Sequence, residues 1–85
     1  MSEIKEEYIS QAKKEFGRQL AALRKELGLS QEEFASRAKV HHTYISAIET
    51  GKTNLTFDVI MRIAFTQNLR PKDLFSTIEV PEDFK

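Results

Sequence analysis

The apolar residues in the first third of the chain recur three and four positions apart, which is the spacing of one face of an α-helix. This apolar stripe is made of Ile9, Ala12, Phe16, Leu20, Leu23 and Leu27. Gly28 follows the stripe directly, and a glycine in this place typically ends a helix while the next apolar residue, here Leu29, folds back onto the last turn. The pattern predicts a first helix that ends near Leu27.

Two short helices are predicted next. Ser30 and Glu33 form a capping-box pattern, so a second helix begins at Gln31. Its predicted buried residues are Phe34, Ala35 and Ala38. Residues 39–42 contain no strong helix breaker, yet the apolar phase resets there, which indicates a short turn into a third helix. The apolar residues of this helix are Tyr44, Ile45 and Ile48, and Gly51 ends it.

A fourth and a fifth helix complete the prediction. Thr56 is the predicted N-cap of the fourth helix, and Asn68 closes it because asparagine tolerates the left-handed conformation. Its inner stripe is Phe57, Ile60, Ile63 and Ala64. Pro71 begins the fifth helix, since proline is well tolerated at the first helical position, and Leu74 and Phe75 anchor this helix to the core. No strand alternation or repeat competes, so we predict an all-α domain with five helices.

Composition fits one small domain without covalent cross-links. The 85 residues are 40% hydrophobic and 31% charged and include no cysteine, so disulfides and the usual structural zinc sites are excluded. Two adjacent histidines are a poor ligand set, and we expect no metal and no other cofactor. No run of about 18 apolar residues occurs and the N-terminus is acidic and polar, so we expect a cytoplasmic protein with no membrane partner.

The charge distribution is uneven although its sum is zero. Residues 34–73 contain six Lys and Arg against three Asp and Glu, whereas the flanking segments are slightly acidic. This imbalance is within ordinary scatter, so charge alone does not indicate a nucleic-acid partner. The chain also has no pairing of a nucleophile with a base and no glycine-rich phosphate loop, which argues against an enzyme.

A helix, a tight turn and a second short helix inside a five-helix domain are the layout of a helix-turn-helix DNA reader. The motifs LRKELGLSQ, E-x-F-A and YISAIETGK follow one another between residues 23 and 64. On these motifs the chain resembles the Cro/phage-repressor-like (Xre-type) helix-turn-helix family over about residues 13–76. The resemblance implies a compact lambda-repressor-like DNA-binding domain, with the helix-turn-helix at helices 2 and 3.

The flanking segments are predicted to be accessory to this domain. Residues 1–12 extend the first helix, and residues 77–85 form a tail that can contribute to a dimer contact. Within the family, the motifs F-G-R-x-L, H-x-T-Y-I-S-x-I-E and N-L-T are most similar to controller proteins of restriction-modification systems. The implied function is sequence-specific regulation of transcription.

The exposed face of the third helix is the predicted reading surface. With Ile45 and Ile48 turned into the core, short side chains occupy the opposite side of the helix. His41 and His42 precede them at the end that enters the major groove in this motif. The residues predicted to read bases are His42, Thr43, Tyr44 and Ala47. The alternative that the sequence leaves open is an ordinary solvated face.

Other residues are assigned by the resemblance to the DNA backbone and to the scaffold. The predicted backbone contacts are Gln31, His41, Ser46, Lys52, Thr53 and Asn54, and such contacts fix orientation while base contacts supply specificity. For them the alternative is a plain helix surface or a polar turn. Arg24 and Glu49 match a pair that forms a salt bridge between the first and third helices in the family, and we expect it to hold the third helix at its docking angle.

The chain departs from the controller pattern at two positions, because arginine usually stands where it has His42 and Thr53. Neutral His and Thr make single hydrogen bonds and cannot recognise guanine in the bidentate manner of arginine. Base discrimination is therefore expected to depend on Tyr44, on methyl contacts and on DNA shape.

The C-terminal part of the chain carries more apolar residues than a short fifth helix needs. We assign this surplus to a homodimer interface made of Leu69, Leu74, Phe75, Ile78 and Val80, since one such module buries too little of the groove for tight binding. For Leu74 and Phe75, packing in the core is the open alternative.

The predicted function is that of a regulator that binds a palindromic operator in double-stranded DNA as a homodimer. Activation of transcription would add RNA polymerase as a partner, although no motif identifies a surface for it. The alternative is a protein-interaction module, such as an antitoxin or an adaptor, built on the same scaffold. The acidic N-terminal segment and the tail EVPEDFK favour that alternative.

Overall fold

The computed structural model describes residues 4–84 and contains five α-helices in that range. They are α1 (Glu6–Glu26), α2 (Gln31–Ala38), α3 (His42–Glu49), α4 (Phe57–Thr66) and α5 (Pro71–Phe75), followed by a single 3-10 turn at Glu82–Phe84. No strand occurs within these residues, and the all-α, five-helix prediction is confirmed. Residues 1–3 and 85, at the outer ends of the predicted extension and tail, lie outside the described residues.

The junction between α1 and α2 has the predicted geometry. Gly28 has a φ of +72°, and the Leu29 N–H donates to the Arg24 carbonyl oxygen at 3.2 Å. The Ser30 hydroxyl accepts from the Glu33 N–H at 3.0 Å, and the Glu33 carboxylate accepts from the Ser30 N–H at 2.9 Å. These hydrogen bonds with Ser30 hold the pKa of Glu33 below its ordinary value, since they stabilise the charged form.

The ends of α4 are also as predicted. The Thr56 hydroxyl accepts from the Val59 N–H at 3.2 Å, and Asn68 takes the left-handed conformation with a φ of +56°. Pro71 is at the first helical position of α5. Local capping chemistry therefore defines these boundaries.

The turn between α2 and α3 was not recognised from the sequence in its detail. Lys39 ends α2 in the left-handed conformation, with φ 59° and ψ 43°. The N–H of Val40 donates to the Ala35 carbonyl oxygen at 3.0 Å, which closes α2 in the way that a glycine usually allows. A lysine carries no sequence signal for this conformation.

The third helix is one member of a ring of five helices around a single core. It packs against α1 and α2, while α5 packs against α1 and α4, and α4 also packs against α2. The buried apolar residues are Phe16, Leu20, Leu29, Phe34, Ala35, Ala38, Ile45, Ile48, Ile63, Ala64 and Leu74. All five helices thus contribute to one core, and the inward side of α3 is fixed by Ile45 and Ile48.

Three residues expected on the core stripes are exposed, and the first of them, Leu27 at the end of α1, is 42% exposed. Phe57 was predicted on the inner stripe of α4, but its side chain is 73% exposed, because it is the first residue of the helix, whereas the buried residues of α4, Ile63 and Ala64, lie nearer its other end. Ile9 was predicted to extend the core stripe of α1, but it is 45% exposed. It contributes to an open apolar groove with Phe75 rather than to the core.

The segment after α5 returns to the N-terminal part of α1. The Tyr8 hydroxyl donates to a carboxylate oxygen of Asp83, and this bond raises the pKa of Tyr8 and lowers that of Asp83. The Lys5 ammonium lies 5.5 Å from the centre of the Tyr8 ring. An open cleft between the two segments is lined by Glu7, Glu15 and Glu79 among others, away from the face that carries α3.

Candidate nucleic-acid interface

One side of α3 is accessible while the other is locked in the core. Ile45 and Ile48 are at most 2% exposed, whereas His41, His42 and Thr43 are exposed at the N-terminal end. Further along the helix the side chains on the accessible side are less exposed, since Tyr44, Ser46 and Ala47 are half-buried. The structure thus brings the predicted base-reading residues together on one short helix whose orientation is fixed from behind.

An imidazole caps this helix. The Nδ1 atom of His41 accepts from the Thr43 N–H at 3.2 Å and lies 2.7 Å from the Thr43 hydroxyl oxygen. The rings of His41 and His42 are stacked, with centroids 4.6 Å apart. The capping role of His41 was missed from the sequence, because the residues that signal an N-cap are Ser, Thr, Asp and Asn.

Tyr44 connects α3 to the segment that follows it. Its ring packs against the core, and its hydroxyl donates to the Asn54 carbonyl oxygen at 3.4 Å. This predicted base-reading residue is therefore partly structural, and only the outer part of its side chain is accessible.

The polar turn after α3 is held close to α1. Gly51 has a φ of +73°, and the Lys52 N–H donates to the Ala47 carbonyl oxygen at 2.9 Å. Lys52 and Asn54 are exposed, while Thr53 is half-buried and its hydroxyl donates to the Asn54 carbonyl oxygen at 3.3 Å. The turn has a defined backbone that presents an amine and an amide to solvent.

The predicted pair Arg24 and Glu49 is in contact and belongs to a larger network. Arg24 Nε lies 2.7 Å from Glu49 Oε2, Nη2 lies 3.1 Å from Oε1, and Nη1 donates to the Leu29 carbonyl oxygen at 2.7 Å. The two side chains are 11% and 6% exposed. The hydrogen bond with Glu49 raises the pKa of Arg24, which outweighs the opposing effect of burial. The network ties the last turn of α1 to the last residue of α3.

Gln31 also joins this network. Its amide nitrogen donates to Glu49 Oε1 at 2.9 Å, so one of its two amide hydrogens is used inside the protein. The sequence assigned Gln31 to a DNA phosphate, and its second amide hydrogen is the one that this role would use. Glu49 thus orients a residue at the start of α2 as well as the end of α3.

Gly17 is a structural residue that sequence reasoning missed. A Cβ atom on Gly17 would overlap the Ile48 carbonyl oxygen and would lie 2.7 Å from that of Glu49. The backbone of α1 therefore touches the last turn of α3 directly. A glycine inside a predicted helix was the available signal, because it costs helix stability unless packing requires it.

The residues predicted for the dimer interface differ in exposure, although Phe75 and Ile78 line one groove and Ile78 and Val80 line another. Leu74 is 0% exposed, so its assignment to an interface is wrong and the core alternative holds. Leu69 and Ile78 are half-buried against the core, Phe75 lies against Phe16 with ring centroids 5.1 Å apart, and Val80 is 58% exposed.

The most exposed aromatic residues lie on α4 instead. Phe57 and Phe65 are 73% and 70% exposed, and half-buried Met61 lies between them, so the three residues, spaced four apart, form one stripe along the helix. We call these three residues the α4 outer stripe. Sequence reasoning missed it because α4 is apolar on both sides and only one side could be assigned to the core.

Two further features, a metal site and a membrane-spanning helix, were searched for in the part of the chain that the structure describes. No group of three or more His, Asp or Glu side chains there could hold a metal ion. None of its helices combines the length and the hydropathy needed to cross a membrane.

The geometry defines a class of protein. Two short helices joined by a tight turn, with the second helix supported from behind and accessible at its N-terminal end, form a helix-turn-helix DNA-binding domain. A helix-turn-helix family model, HTH_3, matches residues 20–64. The chain belongs to this Xre-type helix-turn-helix family, whose members are DNA-binding transcription regulators and not enzymes.

Particular relatives narrow the resemblance to controller proteins, as the sequence motifs predicted. Control protein C.MunI from a Mycoplasma species is 42% identical over 65 residues, which cover 75% of this chain and 88% of the relative. Control protein C.BamHI from Bacillus amyloliquefaciens is 39% identical over 66 residues, or 74% and 82% of the two chains. The crystal structure of the restriction-modification controller protein C.AhdI from Aeromonas hydrophila matches with a TM-score of 0.71 and 32% identity, over 73% of this chain and 94% of that one.

Proposed function

We propose that this chain binds a palindromic operator in double-stranded DNA as a homodimer and regulates transcription in a restriction-modification system. The observation that carries the proposal is the exposed N-terminal end of α3, where His42 and Thr43 are accessible on a helix anchored by Ile45 and Ile48. In this motif that end of the recognition helix enters the major groove, where side chains meet base edges.

The proposed contacts fall into two groups. His42, Thr43, Tyr44 and Ala47 read bases, and Gln31, His41, Ser46, Lys52, Thr53 and Asn54 lie along the backbone. The defined backbone of the turn after α3 and the Gln31 amide held by Glu49 support the second group, because contacts to phosphates fix the orientation of a protein on the duplex. Lys52 is the one cation in this proposed set.

Selection from a random duplex library tests the proposal. We expect the purified protein to enrich a two-fold symmetric sequence with half-sites about 10 base pairs apart. Each neutralised phosphate contributes about 0.9 to the slope of log affinity against log salt concentration. Lys52→Ala should therefore reduce that slope by about 0.9 per protomer.

Lys72→Ala is the matched control, since Lys72 is an exposed lysine on α5, which packs against α1 and α4 rather than against the helix-turn-helix. This substitution should leave the salt dependence unchanged. Absence of any enriched duplex at low salt would contradict the proposal. A stable complex with another protein, in that case, would support the interaction-module alternative.

The α4 outer stripe is the proposed centre of the homodimer. Exposed aromatic side chains in one row are unusual on a monomer, and a helix that is apolar on both sides is normally covered on both. The core covers one side of α4. A second copy covering the other side would bring two recognition helices onto one duplex, which a palindromic operator requires.

The oligomeric state tests this interface. We expect sedimentation velocity to show a dimer at tens of micromolar, and Phe65→Ser to shift it to monomer with unchanged circular dichroism, because the Phe65 side chain makes little contact within the protomer. Leu27→Ser is the control, since Leu27 is also an exposed apolar residue, at 42%, but lies at the end of α1. A monomeric parent protein, or a Phe65→Ser variant that stays dimeric, would exclude the α4 outer stripe as the interface.

A further inference from the structure

The exposed start of α3 contains a hydrogen-bond arrangement that sets the chemistry of one base-reading residue. The Thr43 N–H points at Nδ1 of His41 over 3.2 Å, and the Thr43 hydroxyl oxygen lies 2.7 Å from the same nitrogen. The His42 ring stacks on His41 at an interplanar angle of 26°. All three side chains are exposed on the face that the proposed function turns toward DNA.

The backbone N–H determines which ring nitrogen of His41 carries the proton. An amide N–H can only donate, so Nδ1 must offer its lone pair. A neutral imidazole has one N–H, which is then on Nε2. Because Nδ1 has no hydrogen to give, the short contact with Thr43 is a bond that the hydroxyl donates, and the single lone pair of Nδ1 is shared between the hydroxyl at 2.7 Å and the backbone N–H at 3.2 Å. The hydroxyl hydrogen is thereby used within the protein, and the oxygen keeps its remaining capacity to accept.

We infer that Thr43 reads DNA as a hydrogen-bond acceptor, and that His41 is the positioning residue that imposes this polarity. The inference rests on the proposed function. In the major groove the hydrogen-bond donors are the exocyclic amino groups, N6 of adenine and N4 of cytosine, whereas N7, O6 and O4 are acceptors. The partner of Thr43 is therefore an amino group. A threonine with a free hydroxyl could instead form a hydrogen bond with either a donor or an acceptor.

The tautomer can be measured without DNA. Long-range ¹H–¹⁵N correlation spectra at pH 8 distinguish a ring nitrogen with a proton from one without, and His42→Ala assigns the signals because the chain has two histidines. We expect His41 to carry its proton on Nε2. A proton on Nδ1 would overturn the inference whatever the DNA-binding result.

The polarity of Thr43 can be measured with base analogues. The Thr43→Val variant identifies the base that Thr43 contacts. At that operator position, a change of base pair should lower the affinity of the parent protein but leave the affinity of the variant unchanged. Replacing the exocyclic amino group of that base by hydrogen should lower the affinity of the parent protein roughly 3- to 10-fold, as for one hydrogen bond. The same replacement should leave Thr43→Val unaffected. Dependence on an N7 or carbonyl acceptor instead, or no base that depends on Thr43, would overturn the inference.

Substitutions of His41 separate positioning from simple capping. His41→Asn retains a capping oxygen and should retain the preference for a duplex with an amino group over one with a carbonyl oxygen at that base position, whereas His41→Ala frees the Thr43 hydroxyl to donate and should reduce that preference. Fraying of α3 alone would weaken binding to both duplexes equally, so the ratio of the two affinities is the readout. An unchanged ratio in His41→Ala would contradict the positioning role. A parent protein that enriches no duplex would refute the proposed function and the base preference, while the tautomer result would stand.

Discussion

Replacing Gly17 by alanine is expected to lower the free energy of unfolding by about 3 kcal/mol or more, at the upper end of the cost of overpacking. The added methyl group would overlap the Ile48 carbonyl oxygen and crowd that of Glu49, and these are backbone atoms that cannot rotate away. At an ordinary position inside a helix the same substitution would stabilise the protein by about 1 kcal/mol. The sign of the change in the free energy of unfolding therefore shows whether close packing of α1 on α3 requires glycine at this position or whether alanine would fit equally well.

Urea unfolding followed by circular dichroism measures this change. Gly28→Ala is a suitable control, because Gly28 has a positive φ but no neighbour within 4 Å of an added Cβ. It should cost about 1–2 kcal/mol through backbone strain without displacing α3. Folded Gly17→Ala protein should also lose operator affinity more than Gly28→Ala, since the added group pushes on the recognition helix. A Gly17→Ala variant as stable as the parent would contradict the packing described here.

The helix boundaries and most of the core could be predicted from the sequence because they depend on local chemistry. Ser30 caps α2 and Thr56 caps α4, and each cap accepts from an N–H three residues further on. The core positions of α1 to α3 follow the apolar period of a helix. Where α4 is apolar on two sides, that period cannot say which side meets the core. Phe57 keeps the apolar period but is the first residue of α4, and the period does not show that the core ends before it.

The features that escaped prediction are either contacts between distant segments or local structure formed by residue types that rarely form it. The left-handed conformation of Lys39 is required by the way α3 must leave α2, and no side-chain property of lysine announces it. Gly17 is needed only because the end of α3 passes over it. His41 became a cap because its ring nitrogen lies where a hydroxyl or carboxylate oxygen usually does. The motifs predicted a reading face on the third helix, whereas the hydrogen bonds between its residues could be described only from coordinates.

Removing one partner of the Arg24–Glu49 pair is the second change expected to have a large effect. Glu49→Gln should lower the free energy of unfolding by about 3–5 kcal/mol, because it leaves the guanidinium of Arg24 without its counter-charge in a site where that side chain is 11% exposed. The substitution also replaces the carboxylate oxygen that accepts from the Gln31 amide by a neutral, weaker acceptor or by an amide nitrogen. An exposed pair provides the control, since Arg18 is 71% exposed beside Glu15 and Glu15→Gln should cost no more than about 1 kcal/mol.

The double variant Arg24→Met/Glu49→Leu tests whether the pair stabilises the fold or orients the recognition helix. Replacing both charges by apolar groups removes the unpaired ion, so the loss in unfolding free energy should be much smaller than the sum of the single losses. Operator affinity should nevertheless stay reduced, since the Gln31 amide and the end of α3 no longer share the Glu49 carboxylate. If the double variant lost as much unfolding free energy as the two single variants together, Arg24 and Glu49 would contribute to stability independently of each other. Full operator affinity in the stable double variant would mean that the core alone orients α3.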